Sequence, residues 1–106
     1  MTHVVVNPGV CGLNADIKVE MLDRRMAKID IQTDCKMIVK LVEDLGESVD
    51  AFELLGMSGG EPLLEAGRKG TRIHAACPTI AGIAKAVEAE CQMALPRDAS
   101  ITFVKD

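Results

Sequence analysis

Aromatic residues are nearly missing from this 106-residue chain: Phe52 and Phe103 are the two phenylalanines, and there is no Trp and no Tyr. The core must then be aliphatic, built from Val, Ile, Leu, Met and Ala, and there is no platform on which nucleic-acid bases would stack. Positive charge is also scarce. Twelve Lys and Arg against sixteen Asp and Glu leave a formal net charge of −4. The basic residues are scattered along the chain, which argues against a nucleic-acid partner. No apolar run is long enough to span a bilayer, because the longest biased stretch, Thr79 to Val87, is broken by Gly82 and Lys85; no membrane partner is expected. Met1 to Gly9 has neither a basic leader nor the apolar length of a signal peptide, so the expected compartment is the cytoplasm. Four cysteines in that compartment are expected as reduced thiols or metal ligands rather than as disulfides. No two of them form a CxxC pair, which argues against a zinc knuckle and against thioredoxin-like chemistry. Ser58-Gly59-Gly60 lacks the glycine-lysine pattern that cradles a nucleotide phosphate, and no serine, histidine and aspartate pattern stands out.

What is present suffices for a single α+β domain over residues 1–106, since forty-eight per cent of the residues are hydrophobic and a chain of this length buries a core without staples. His3 to Val6 is a short β-branched run closed by Asn7-Pro8-Gly9, which predicts a first strand and a turn. Ala15 to Met21 alternates strictly, with Ile17, Val19 and Met21 on one face and Asp16, Lys18 and Glu20 on the other. After Leu22 to Arg25, Met26 to Gln32 repeats the alternation with Ala27, Ile29 and Ile31. The pair predicts an antiparallel hairpin with one wet and one buried face. Thr33-Asp34 supplies N-cap candidates for a helix to about Leu45, striped by Ile38, Leu41, Val42 and Leu45 and stopped by Gly46. Residues 47–73 are less patterned: Val49 to Leu55 reads as strand or short helix, Ser58 to Gly60 as a loop, and Pro62 to Ala66 as one or two helical turns before Gly67.

A second helix is marked by Pro78, because proline suits the first helical turn, where its missing N–H would have no partner. Its stripe of Ile80, Ile83, Ala84, Val87 and Cys91 predicts a helix to about Met93. Ser100 to Val104 reads as a last strand with Ile101 and Phe103 inward. Together these elements predict a two-layer fold: a mostly antiparallel sheet of about four strands covered on one face by two helices.

The cysteines divide by position. Cys91 continues the apolar stripe of the second helix and is expected to pack in the core. Cys11 follows a Pro-Gly turn, Cys35 opens the first helix and Cys77 falls at or beside the N-cap of the second, so these three lie at element boundaries. The positive end of a helix favours a thiolate, and with it nucleophilic, redox or metal-binding behaviour. If both helices begin at the sheet end that carries the first turn, three thiols share one pole. His74, three residues before Cys77, is an accessory ligand or proton-relay candidate as well as an ordinary loop histidine. Glu43, Asp44, Glu47 and Asp50 read as a solvated helix end and loop, and Glu88 with Glu90 as a polar helix face.

The order of Asn7-Pro8-Gly9-Val10-Cys11-Gly12, Asp34-Cys35, His74 through Cys77-Pro78 with Gly82, Lys85, Ala86 and Glu88, and Ala94-Leu95-Pro96 resembles a family of uncharacterised domains of about this length. That family carries three motif cysteines and occurs in anaerobic bacteria and archaea. The resemblance covers nearly the whole chain; it implies that Cys11, Cys35 and Cys77 form a set with Cys91 outside it, and it implies no activity. In the family pattern a proline often follows closely after the second and third cysteines, whereas here Lys36 follows Cys35 and Thr79-Ile80 follows Pro78.

Three readings follow. In the first, Cys11, Cys35 and Cys77 bind a soft metal such as zinc or copper(I), or an iron–sulfur cluster, with His74 or an exogenous ligand completing the site. In the second, metal-free thiol redox or sulfur-transfer chemistry uses Cys77 as the reactive thiol and Cys11 or Cys35 to resolve it. The third is a structural or interaction module with idle cysteines. Whether the protein is an enzyme depends on which holds; its partner would be an unidentified protein or small molecule, and homo-oligomerisation is compatible with all three.

Overall fold

The alternation of apolar and polar residues produces the central hairpin of the fold. In the computed structural model, which describes residues 1–55, 61–69, 73–74 and 76–105, β1 (Thr2–Val6), β2 (Ala15–Met21), β3 (Met26–Thr33) and β4 (Val49–Asp50) form one sheet in that order. Every pairing is antiparallel. Ile17 pairs with Ile31 and Val19 with Ile29, while Lys18 opposes Asp30 and Glu20 opposes Lys28. Ile17 and Val19 are fully buried, Ile29 and Ile31 half-buried, and the four charged residues are exposed. A slip of one residue would exchange these faces and bury the charges, and the two opposite-charge pairs favour the observed register across the open face.

The covered face carries the helices. α1 (Lys36–Leu45) packs on β3, and α4 (Pro78–Glu90) packs on β1 and β2. Ile38 and Leu41 from α1 and Ile83, Ala86 and Val87 from α4 meet Ile17, Val19 and Ala27 in an aliphatic core. α2 (Ala51–Leu55) and α3 (Glu61–Arg68) lie between α1 and α4 in sequence, and α3 packs against α1, α2 and α4. Leu54 of α2 and Leu63 of α3 are buried in the same core.

The α+β expectation holds, with differences in particular elements. The fourth strand is Val49–Asp50, paired to Ala27 and Met26, and Ser100 to Val104 is not in the sheet. Ile101 and Phe103 are 88% and 99% exposed rather than inward. Alternation marks a segment fit to pair but does not say which edge, or which chain, supplies the partner. The stretch from Val49 to Leu55 is both strand and helix, because Asp50 ends β4 and at once caps α2: its Oδ1 accepts from the N–H groups of Phe52 and Glu53, both at 3.0 Å. Asp50 also takes a two-pronged ion pair from Arg25, at 2.8 and 3.2 Å, and Arg25 stands over the Phe52 ring. It is therefore an organised junction rather than a solvated loop carboxylate.

Two helix ends also differ from expectation. α3 runs through Gly67 to Arg68; Gly67 sits close to Leu41, whose Cδ1 would lie only 3.3 Å from a Cβ placed there. α4 stops at Glu90, not Met93. Gln92 adopts a left-handed φ of 65°, its N–H donates to the Ala89 carbonyl and the Met93 N–H donates to the Glu88 carbonyl. This is a Schellman ending built on glutamine where glycine is usual. Cys91 is thus the C-cap, half-buried and packed against the core, with its Sγ 3.8 Å from the Glu88 carbonyl oxygen. Ser58-Gly59-Gly60 falls outside the described residues.

Candidate thiol site at one end of the sheet

Val6, Ala15 and Thr33 are paired in a row across β1, β2 and β3, and they mark one end of the sheet. The loop that carries Cys11 leaves and returns at this end. Asn7 begins it by accepting the Gly9 N–H at 3.0 Å on its Oδ1. Gly12 then donates to the Gly9 carbonyl at 2.9 Å, closing a tight turn with Val10 and Cys11 at its centre. Both flanking glycines have positive φ, 93° and 69°, a conformation that side-chain-bearing residues avoid. The turn holds Cys11 out into solvent, exposed beside a wholly exposed Val10.

Cys35 follows Thr33 by two residues and is the N-cap of α1, one residue later than the Thr33-Asp34 expectation. Thr33 contributes by accepting the Cys35 N–H on its hydroxyl at 3.2 Å, so the residue expected to cap the helix instead shapes the turn into it. The Cys35 side chain makes no capping hydrogen bond; it is half-buried against the core.

α4 reaches the same end because of two contacts along its length. Gly82 lies against Val6 and Ile17, and eight residues later Glu90 accepts hydrogen bonds from the Thr2 hydroxyl at 2.7 Å and the Met21 N–H at 3.3 Å. Thr2 and Met21 belong to the opposite end of the sheet, so the helix must begin at the end marked by Val6. Cys77, five residues before Gly82, lies about 7.5 Å of helix rise further out. It is the N-cap, followed by Pro78, with no side-chain capping bond and with its side chain half-buried. The turn before it is closed by the Cys77 N–H donating to the His74 carbonyl at 3.0 Å, and the His74 side chain is exposed.

The fold therefore brings the backbones of Cys11, Cys35, Cys77 and His74 to one end and leaves Cys91 at the other, at the far end of α4. It does not gather their side chains into a coordination sphere: among the described residues no three His, Cys, Asp or Glu side chains stand together as a metal-holding group. All four thiols are free. A shallow, open depression lined by Asn14, Ile31, Gln32, Thr33 and Asp34 lies beside the Cys35 turn.

Glu90 is the positioning residue that the sequence hides. Its spacing places it on a polar helix face, yet its side chain is only 15% exposed and it fastens α4 to β1 and β2. The Thr2 hydroxyl, foremost, holds its carboxyl below the ordinary glutamate range, and the Met21 N–H adds to the effect against the opposing influence of burial.

A family described as Family of unknown function (DUF6951) matches this chain over residues 2–103. The chain belongs to that family. No curated protein and no solved structure matches it. The DUF6951 match takes in the loop of Cys11, both cysteine-capped helices and the irregular segment as far as Phe103, so all of these are parts of the domain itself. No described helix is long and apolar enough to cross a membrane.

Proposed function

We propose that this is a small cytoplasmic protein whose Cys11, Cys35 and Cys77 take up a soft metal ion or an iron–sulfur cluster at the sheet end where both helices begin. The observation that carries the proposal is topological: two helix N-caps and a central position of one tight turn are cysteines, and their backbones lie at the same end of the sheet. Three thiolates suit zinc, copper(I) or iron–sulfur centres, and a fourth position remains for His74 or an exogenous ligand. Cys35 and Cys77 are fixed by their helices, so the movement that completes the donor set belongs to the exposed turn of Cys11. Binding would then order that loop, and the binding free energy would appear as stability. The same proposal takes this three-cysteine set as the feature that unites the family across anaerobic bacteria and archaea.

A second reading is favoured by the lack of a three-ligand group among the described residues: metal-free redox or sulfur transfer, with Cys77 as attacking thiol and Cys11, on its exposed turn, as resolving thiol. Anaerobic purification followed by metal and acid-labile sulfide analysis distinguishes the two. Metal in stoichiometric amount, lost in Cys11→Ser, supports the first reading. Metal-free protein that fails to bind added zinc or cobalt, yet whose Cys77 reacts with a disulfide probe, replaces it with the second. Inert thiols in a metal-free protein leave an interaction module.

A further inference from the structure

β1 is an edge strand, since the sheet order begins with it. Edge strands ordinarily carry lysine, proline or a bulge that discourages further pairing, but Thr2-His3-Val4-Val5-Val6 has none of these. Val4 and Val6 on the covered face are only half-buried, and Val5 on the open face is 68% exposed. The same chain holds a segment of strand-like sequence that pairs with no strand among the described residues. Leu95, Pro96 and Arg97 form a tight turn, closed by the Arg97 N–H donating to the Leu95 carbonyl at 2.8 Å. Beyond it Ser100-Ile101-Thr102-Phe103-Val104 is irregular, with Ile101, Phe103 and Val104 at 88%, 99% and 79% exposure. Isolated exposed apolar residues need no explanation, but three within four residues, one of them among only two aromatics in the chain, mark a surface that is meant to be covered.

The segment's own β1 is poorly placed to cover it. α4 ends beside Thr2, where β1 starts, so a direct return along β1 would run parallel to it in a sheet whose every pairing is antiparallel. A second copy has no such constraint and can present the segment antiparallel, the more stable arrangement. We infer that Ser100 to Val104 of each chain adds to the β1 edge of a second copy, giving a twofold dimer by reciprocal strand exchange. The segment supplies the missing ladder, and Ile101 and Phe103 lie beside Val4 and Val6 at the margin of α4. The exchange is independent of the thiol chemistry.

The test uses the full chain in reducing buffer, with mass measured by light scattering after gel filtration and backbone amide exchange followed across β1. Wild type is expected at twice the chain mass, with the outward amides of β1 protected. Phe103→Asp and Ile101→Asp, at positions 99% and 88% exposed within one chain, should each restore the monomer mass, abolish that protection and leave the far-ultraviolet spectrum unchanged. A wild-type monomer overturns the inference, whether its β1 amides exchange freely or are protected by the chain's own segment. So does a dimer that survives both substitutions.

Discussion

Gly82 of α4 lies so close to Val6 of β1 that a Cβ would overlap the Val6 Cγ2, with the Ile17 side chain just behind. The contact sets how near α4 sits to the sheet, and it holds the first turns of α4 against the end where Cys11 and Cys35 emerge. Gly82→Ala is expected to destabilise. Relief of the glycine helix penalty returns about 1 kcal/mol, but overpacking against a stiff β-branched neighbour costs roughly 1–3 kcal/mol. Adding Val6→Ala removes the obstructing methyl groups, so the double variant should lose less than the sum of the single ones, by about 1 kcal/mol. Chemical denaturation of the four proteins measures this, and strict additivity would count against the contact.

The other end of α4 depends on Glu90, whose carboxyl is held below its ordinary range chiefly by the Thr2 hydroxyl. A depressed carboxylate contributes stability that is present above its unfolded pKa and is lost as the pH falls through its folded value. Wild type should therefore exceed Glu90→Gln in stability at neutral pH, and the difference should shrink through the acid side of the glutamate range and vanish below it. A difference independent of pH would mean that shape, not charge, makes the latch.

Gln92 gives a third expectation. Its left-handed backbone costs about 1–2 kcal/mol for a residue with a Cβ, and glycine removes that strain while adding roughly 0.4–1 kcal/mol of unfolded-state entropy. Gln92→Gly should be stabilising by a few tenths to about 1 kcal/mol in thermal or chemical unfolding, with Cys91 still capping the helix.

The sheet-and-helix frame was legible because the residues that build it obey short periods. Ala15 to Met21 and Ala27 to Gln32 alternate without a fault, and Ile38 and Leu41 fall on a helical stripe. What escaped was set by contacts distant in sequence or by backbone conformations that residue type does not announce. Val49–Asp50 is too short to show alternation. Glu90 finds Thr2 eighty-eight positions away. α4 ends on a glutamine doing what glycine usually does, and the strand-like alternation of Ile101 and Phe103 lies outside the sheet. At the candidate site, the positions of Cys35 and Cys77 at helix mouths followed from Pro78 and the Ile38 stripe. That no three-ligand group forms among the described residues, a matter of tertiary placement, did not.

The cysteine substitutions separate a chemical role from a structural one because of where Cys35 and Cys77 sit. Both are N-caps without a side-chain capping bond, and serine is among the best residues at that position, gaining typically about 1 kcal/mol over residues that cannot cap. Cys35→Ser and Cys77→Ser should then leave thermal stability of the metal-free protein unchanged or raised, against a small loss of apolar contact with the core. Cys11→Ser, on an exposed turn, should leave it unchanged. Each of the three should nevertheless lower metal or cluster content sharply if the thiols act together. Cys91→Ala, which removes a half-buried sulfur packed on the core at the far end of α4, should cost about 1 kcal/mol and leave metal content and the reactivity of Cys77 as they were. Loss of metal in Cys91→Ala, or full occupancy in any one of the other three, would break the proposed set.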